Sequence, residues 1–345
     1  MKGLIFLASL MLSGTAAAQD LSGTYDVGTL TPLERSEQFG ESLFLSPEQA
    51  DAMTSRIAGM KAADLKSSRK ALEATSYVSA GYNFFWLDVG TTPNLVDGKF
   101  RTSIITVPAN GRKPAMTQAG KDRMQSFFDA WRIVWRNPDP TVGLDGGRAW
   151  WLDDAYTSGP YDHLEQRPLA ERCIIGSRST AGPPMLPNAY NNIKRIIQTD
   201  QAVMILTEMI HDARIVRLRD EHRPENIRTW LGDSIGWWEG ETLVIDTTNF
   251  SKTPALSGAD ENLHVVERLT RRDDGSILYQ FEIEDPTVWE SPWGGEYLWG
   301  AVDQKVYEFA CHEGNYALGN IMRGARQLEA DAVSAQAEGQ LGAGG

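Results

Sequence analysis

From Ile193 onward the chain reads as one short strand after another, and that succession constrains the fold more than any other feature. Ile193 to Gln198 and Ala202 to Glu208 are joined by the short Thr199-Asp200-Gln201 connection, and Arg214 to Leu218 continues the pattern. Trp237-Trp238, Glu239-Gly240 and Thr242 to Asp246 read as a hairpin, and Asp274-Gly275 between two alternating runs is a stronger hairpin signal. Strands at about 10-residue spacing with tight turns between them predict an antiparallel barrel or strongly curved sheet. On the strand starting at Ile277, the residues Ile277, Tyr279, Phe281 and Ile283 form the core face, because side chains alternate across a strand.

Helices are added around this β unit. Ser46-Pro47-Glu48-Gln49 supplies an N-cap, a proline at the first helical position and a glutamine placed for a capping box. The stripe Ala50, Met53, Ile57 and Met60 then follows at helical spacing. A second helix is expected near Thr117 to Trp135, with Met124, Phe127, Phe128, Trp131, Val134 and Trp135 on one face. Thr102 to Val107 is a β-branched run closed by Pro108 and the Asn110-Gly111 turn. The expected architecture is mainly β with helical additions, an antiparallel calycin-like (lipocalin-like) barrel with N-terminal and C-terminal helices packed around it. One globular domain covers 19–330: a mixed helix and loop part at 19–187, the barrel at 188–312 and a helix at 313–330, with a flexible tail at 331–345.

Residues 1–18 combine Lys2, an apolar run from Leu4 to Leu12 and the small residues Ala16-Ala17-Ala18, the pattern of a cleavable signal peptide. The apolar run falls short of the roughly 20 residues that span a bilayer, so no membrane insertion is expected. Losing Lys2 makes the net charge of −13 more negative still, which argues against nucleic acid as a partner. The expected location is periplasmic or secreted. Cys173 and Cys311 are the two cysteines, and an even pair in an exported chain is read first as one disulfide, with two buried thiols as the alternative.

Familiar catalytic motifs fail in detail. Gly232-Asp233-Ser234-Ile235-Gly236 matches G-x-S-x-G, with Asp246 and His264 following in hydrolase order, but a strand hairpin follows where the nucleophile elbow needs a helix. His312-Glu313-Gly314-Asn315-Tyr316 begins like H-E-x-x-H and lacks the second histidine. No C-x-x-C, P-loop or G-x-G-x-x-G occurs, so no metal or cofactor is assigned, and a metal held by scattered ligands stays open.

The chemistry concentrates elsewhere. Glu208, His211, Asp212 and Arg214 crowd the junction of two apolar strands, either as a proton-transfer set with His211 as carrier or as a structural ion-pair cluster. Glu267 has the parity of Val265 and Leu269 and points inward, either as a general acid or base or to answer a buried arginine. Together with His312 and Glu313, held by a disulfide at Cys311, these residues are expected to meet at a barrel mouth beneath Trp86 and Trp238. In the catalytic version His211, Glu267, His312, Asp212 and Arg214 do the chemistry, and Trp86, Trp238, Glu208 and Glu313 bind substrate.

Several phrases occur together: Leu30-Thr31-Pro32-Leu33-Glu34-Arg35, Arg101-Thr102-Ser103, Ala181 to Pro187, Glu208 to Arg214, Trp238 to Leu243, Asp285-Pro286-Thr287 and Tyr307 to Tyr316. In combination they resemble a large group of exported bacterial proteins of unassigned function, over about Asp20 to Leu328. The resemblance implies one structural unit with a calycin-like barrel in its later part, and it carries over no catalytic residue. Two functions follow from the residues: a lyase, isomerase or hydrolase acting on a small uncharged molecule, or a non-catalytic lipocalin-like binder of a small molecule. The oligomeric state has no sequence signal.

Overall fold

The computed structural model describes residues 19–73, 84, 87–125, 164–176, 182–210, 212–252, 256, 258–259 and 261–342. The expected signal peptide, Trp86, the positions from Phe127 to Trp135 of the expected second helix, and His211 lie outside them.

Twelve strands are described: β1 (Gly23–Asp26), β2 (Leu95–Val96), β3 (Lys99–Phe100), β4 (Ile105–Val107), β5 (Ile193–Gln198), β6 (Ala202–Thr207), β7 (Ala213–Leu218), β8 (Asp233–Glu239), β9 (Thr242–Thr248), β10 (His264–Arg271), β11 (Ile277–Glu284) and β12 (Trp293–Ala301). Nine of them close into a barrel in the order β1-β5-β6-β7-β8-β9-β10-β11-β12, and β12 returns to β1. β2 and β3 form a separate two-stranded ribbon. The barrel draws β1 from the segment read as mixed, so it reaches beyond 188–312.

The expected all-antiparallel pairing needs a correction: β7 and β8 are parallel, from Val216↔Ser234 to Leu218↔Gly236. Residues 219–232 carry the chain back to the end at which β7 starts, so β8 runs the same way. At the closure, the free edge of β12 is shared. Its last residues pair with β1 and its Gly294-Gly295 bulge pairs with β4. A Cβ at Gly295 would lie 2.2 Å from the Ile104 carbonyl oxygen, so only glycine permits this approach.

Local signals behave as their chemistry requires. Helix α1 (Pro47–Glu73) opens on a complete capping box: the Ser46 N–H donates to Gln49 Oε1 at 2.8 Å and the Gln49 N–H to Ser46 Oγ at 3.2 Å. The β10–β11 turn has Gly275 at φ 84°, a left-handed conformation that glycine adopts without strain. Helix α2 is described over 118–125, and α3 (Tyr316–Gly342) extends through most of the expected flexible tail. No helix among the described residues is long and apolar enough to cross a membrane. Cys173 and Cys311 form a disulfide.

Side chains fill the barrel lumen. Tyr279 stacks on Trp299 with ring centroids 4.6 Å apart and meets Tyr297 edge-on at 5.5 Å. The buried 182–186 segment enters this core. The Met185 N–H donates to Tyr279 Oη at 2.8 Å, and the Tyr297 hydroxyl donates to the Met185 carbonyl. The chain thus satisfies its own buried backbone with the two tyrosine hydroxyls and occupies the lumen that a lipocalin-like reading reserves for a ligand.

Candidate functional site

Glu267 is fully buried in the lumen, as its parity requires. Arg214 on β7 reaches it with both terminal nitrogens, one bond to Oε2 and one of 3.0 Å to Oε1, and Tyr279 Oη donates to Oε1 at 2.7 Å. Among the described residues those are the partners of Glu267. The carboxylate therefore answers a buried arginine, the structural alternative of the two posed by the sequence. Tyr279 is held well above the usual phenol range, first by burial and then by the Glu267 charge.

Lys194 escaped the sequence reading. It is fully buried, with Nζ donating to the Asn191 carbonyl at 2.9 Å and to Thr207 Oγ1 at 3.4 Å. Burial pulls its pKa down from 10.5 to about 7, against the raising influence of Glu208 and Asp212. Its signal was available: Lys194 shares core parity with Ile196 in an apolar strand. Glu208 is half-buried, and burial pushes its carboxyl up. Asp212 is buried and accepts the Gly176 N–H at 2.7 Å.

The other expected site residues are scattered. His312 and Glu313 are exposed next to Cys311, whereas Glu267 has no exposed surface, so the structure does not bring the histidine and this carboxylate together. Trp238 lies past Gly236 on β8, beyond the Leu218 end of β7, and thus at the opposite end of the barrel from Ala213. It packs against the core there. Ser234, Asp246 and His264 do not form a triad. Ser234 pairs inside with Thr247 at 2.9 Å, while Asp246, adjacent to Thr247 on β9, points the other way.

Asp246 instead belongs to an outer chain of alternating acid and imidazole. His222 Nδ1 lies 3.0 Å from Asp233 Oδ2 and its Nε2 lies 2.9 Å from Asp246 Oδ1, while His264 Nε2 lies 2.9 Å from Asp246 Oδ2. The hydrogen bond to Asp246 raises the His264 pKa above its usual value. Arg217 grips both oxygens of Asp233, at 2.8 and 2.6 Å. Among the described residues no group of three or more His, Cys, Asp or Glu is placed to hold a metal ion.

A cleft of about 420 Å³ opens where the barrel has its parallel junction. One side is the start of β7, from Asp212 to Ile215; the other is the segment 229–234, and Ile174 and Ile175 close a third. Ile210, Trp230 and Leu231 add apolar surface, and Arg214, Arg217, Arg223, Asp212 and Asp233 supply the charge. Ile210 and Asp212, the neighbours of His211, are both in this wall. The cleft was not legible as a site because its three walls are remote in sequence. Comparison with known families, curated proteins and solved structures finds no match for this chain.

Proposed function

We propose that this chain is an exported small-molecule-binding protein with a calycin-like barrel, and that its ligand occupies the side cleft rather than the lumen. The observation that carries the reading is the cleft itself, whose volume lies in the range of small-molecule sites and whose isoleucines and indole surround a few charged groups. The filled lumen argues in the same direction. Export to the periplasm or medium is supported by the disulfide together with the signal-like N-terminus. The strongly acidic charge speaks against nucleic acid as a partner.

Native mass spectrometry of protein isolated from its own periplasm tests this reading, with Ile215→Trp as the cleft-filling control. A bound small molecule in the parent that is missing from the variant is the expected result; equal occupancy in both would place the ligand elsewhere.

A second reading has one observation behind it. Lys194, Glu208 and Asp212 cluster at the β7 end of the barrel, where burial displaces the first two from their usual protonation ranges, and His211 lies next in sequence to Asp212. In that version the protein is a lyase, isomerase or hydrolase with His211 as proton carrier. Turnover of a released ligand by the parent and its loss in His211→Ala would favour it, and an unchanged ligand would not.

A further inference from the structure

We infer that the cleft takes a small organic carboxylate with an apolar body, an inference that rests on reading the cleft as the binding site.

Three arginines and two aspartates line the cleft, and Glu267 behind the wall answers Arg214, so the charges balance and what distinguishes the site is which groups are still free to bond. The acceptors are engaged. Asp233 takes Arg217 on both oxygens, the Arg223 N–H at 2.9 Å on Oδ2, and His222 on the same oxygen. Asp212 accepts from Gly176, and Thr229 spends its hydroxyl on the Gly232 carbonyl. The donors are not all engaged. Arg214 is 2% exposed, its terminal nitrogens go to Glu267, and its unpartnered Nε is itself buried, out of a ligand's reach. Arg223 touches Asp233 through Nε at 3.6 Å, and among the described residues its two terminal nitrogens have no partner, with the side chain half exposed at the rim.

A wall with spare donors and committed acceptors favours a group that only accepts, and an ionised carboxylate is such a group. A neutral alcohol or amide would bring a donor to a wall whose aspartates already accept from the protein. The remaining surface, Ile174, Ile175, Ile210, Ile215, Leu231 and Trp230, calls for an aliphatic or aromatic body. The ligand inferred is thus a monoanion, where the sequence alone suggests a small uncharged molecule.

The test uses matched pairs of acids and primary amides, hexanoate to dodecanoate and phenylacetate to phenylbutanoate, titrated against the disulfide-intact protein by calorimetry. The acid of at least one pair should bind about tenfold or more tightly than its amide. Arg223→Gln should shrink that preference several-fold. Amides that bind as tightly as acids, or a preference unchanged in Arg223→Gln, overturn the carboxylate assignment while leaving a binding cleft. Binding that survives Ile215→Trp, or no binding by any member of the panel, overturns both.

Discussion

Arg214 and Glu267 face each other across the barrel lumen, from strands separated by β8 and β9, and the guanidinium engages both carboxylate oxygens. Their side chains are 2% and 0% exposed. A pair buried to this degree is strong evidence for what each partner needs and weak evidence for net stabilisation, since desolvation offsets most of the attraction. It also ties the cleft wall, through Arg214, to the interior of the sheet.

Removing one partner should therefore be far worse than removing both. Glu267→Ala is expected to lose about 3–5 kcal/mol in urea unfolding, because it strands a buried guanidinium. Arg214→Met with Glu267→Leu should recover most of that loss. An alanine variant as stable as the parent would show that the pair is already solvated. If Glu267 were a general acid or base, Glu267→Gln would lose activity while folded; the geometry expects a loss of stability as well.

How much of this was legible follows from the range of each signal. The capping box at Ser46 and Gln49, the Asp274-Gly275 turn and the core face of β11 depend on residues within a few positions of one another, and sequence reading places them correctly. Strand parity also placed Glu267 inward. The identity of its partner depended on closure of a barrel in which β1 pairs with both β5 and β12. β1 is four residues long and has no alternating run to announce it. The parallel β7–β8 junction, and with it the cleft, depends on where a long connection crosses, which no local pattern encodes.

Lys194 predicts an unusual slope of stability with pH. Between about 7, its folded pKa, and 10.5, its ordinary value, the unfolded chain holds a proton that the folded chain has released. Folding is then favoured as pH rises through this window, by at most about 1.4 kcal/mol per pH unit. Lys194→Met should flatten the rise and be more stable than the parent near pH 6, in a background that still contains Glu208, Asp212 and Arg214. Parallel pH profiles for parent and variant would refute it.

His264 predicts the opposite slope. Its hydrogen bond to Asp246 raises the folded pKa, so its contribution is fully present below the ordinary value of 6.5 and disappears as pH rises through the folded pKa. Asp246 is opposed by burial but ends below its usual range through the hydrogen bonds of His264 and His222. His264→Gln should therefore be less stable than the parent under acidic conditions and nearly equal at alkaline pH. A deficit that stays constant across that range would mean that the charge on His264 does not contribute.

The disulfide links global stability to the cleft. Cys173 immediately precedes Ile174 and Ile175 in the cleft wall, and Cys311 anchors the residues that lead into α3. The bond closes a loop spanning 138 positions, for which loop-closure entropy gives up to about 5 kcal/mol, less any native strain. Next to it, the Gly176 N–H on Asp212 and Asn315 Nδ2 on the Glu171 carbonyl hold the same wall, at 2.7 Å each. Cys173→Ser with Cys311→Ser should lower the unfolding midpoint in urea and raise the slope somewhat, since the unfolded chain without the crosslink exposes more surface. Amide exchange in 172–176 should accelerate more than exchange in β9–β11, because loss of the link frees the wall locally before the barrel opens. Uniform acceleration across both regions would show that the bond acts on the unfolded chain alone. Unchanged exchange at 172–176 would show that the two neighbouring hydrogen bonds hold the wall without it.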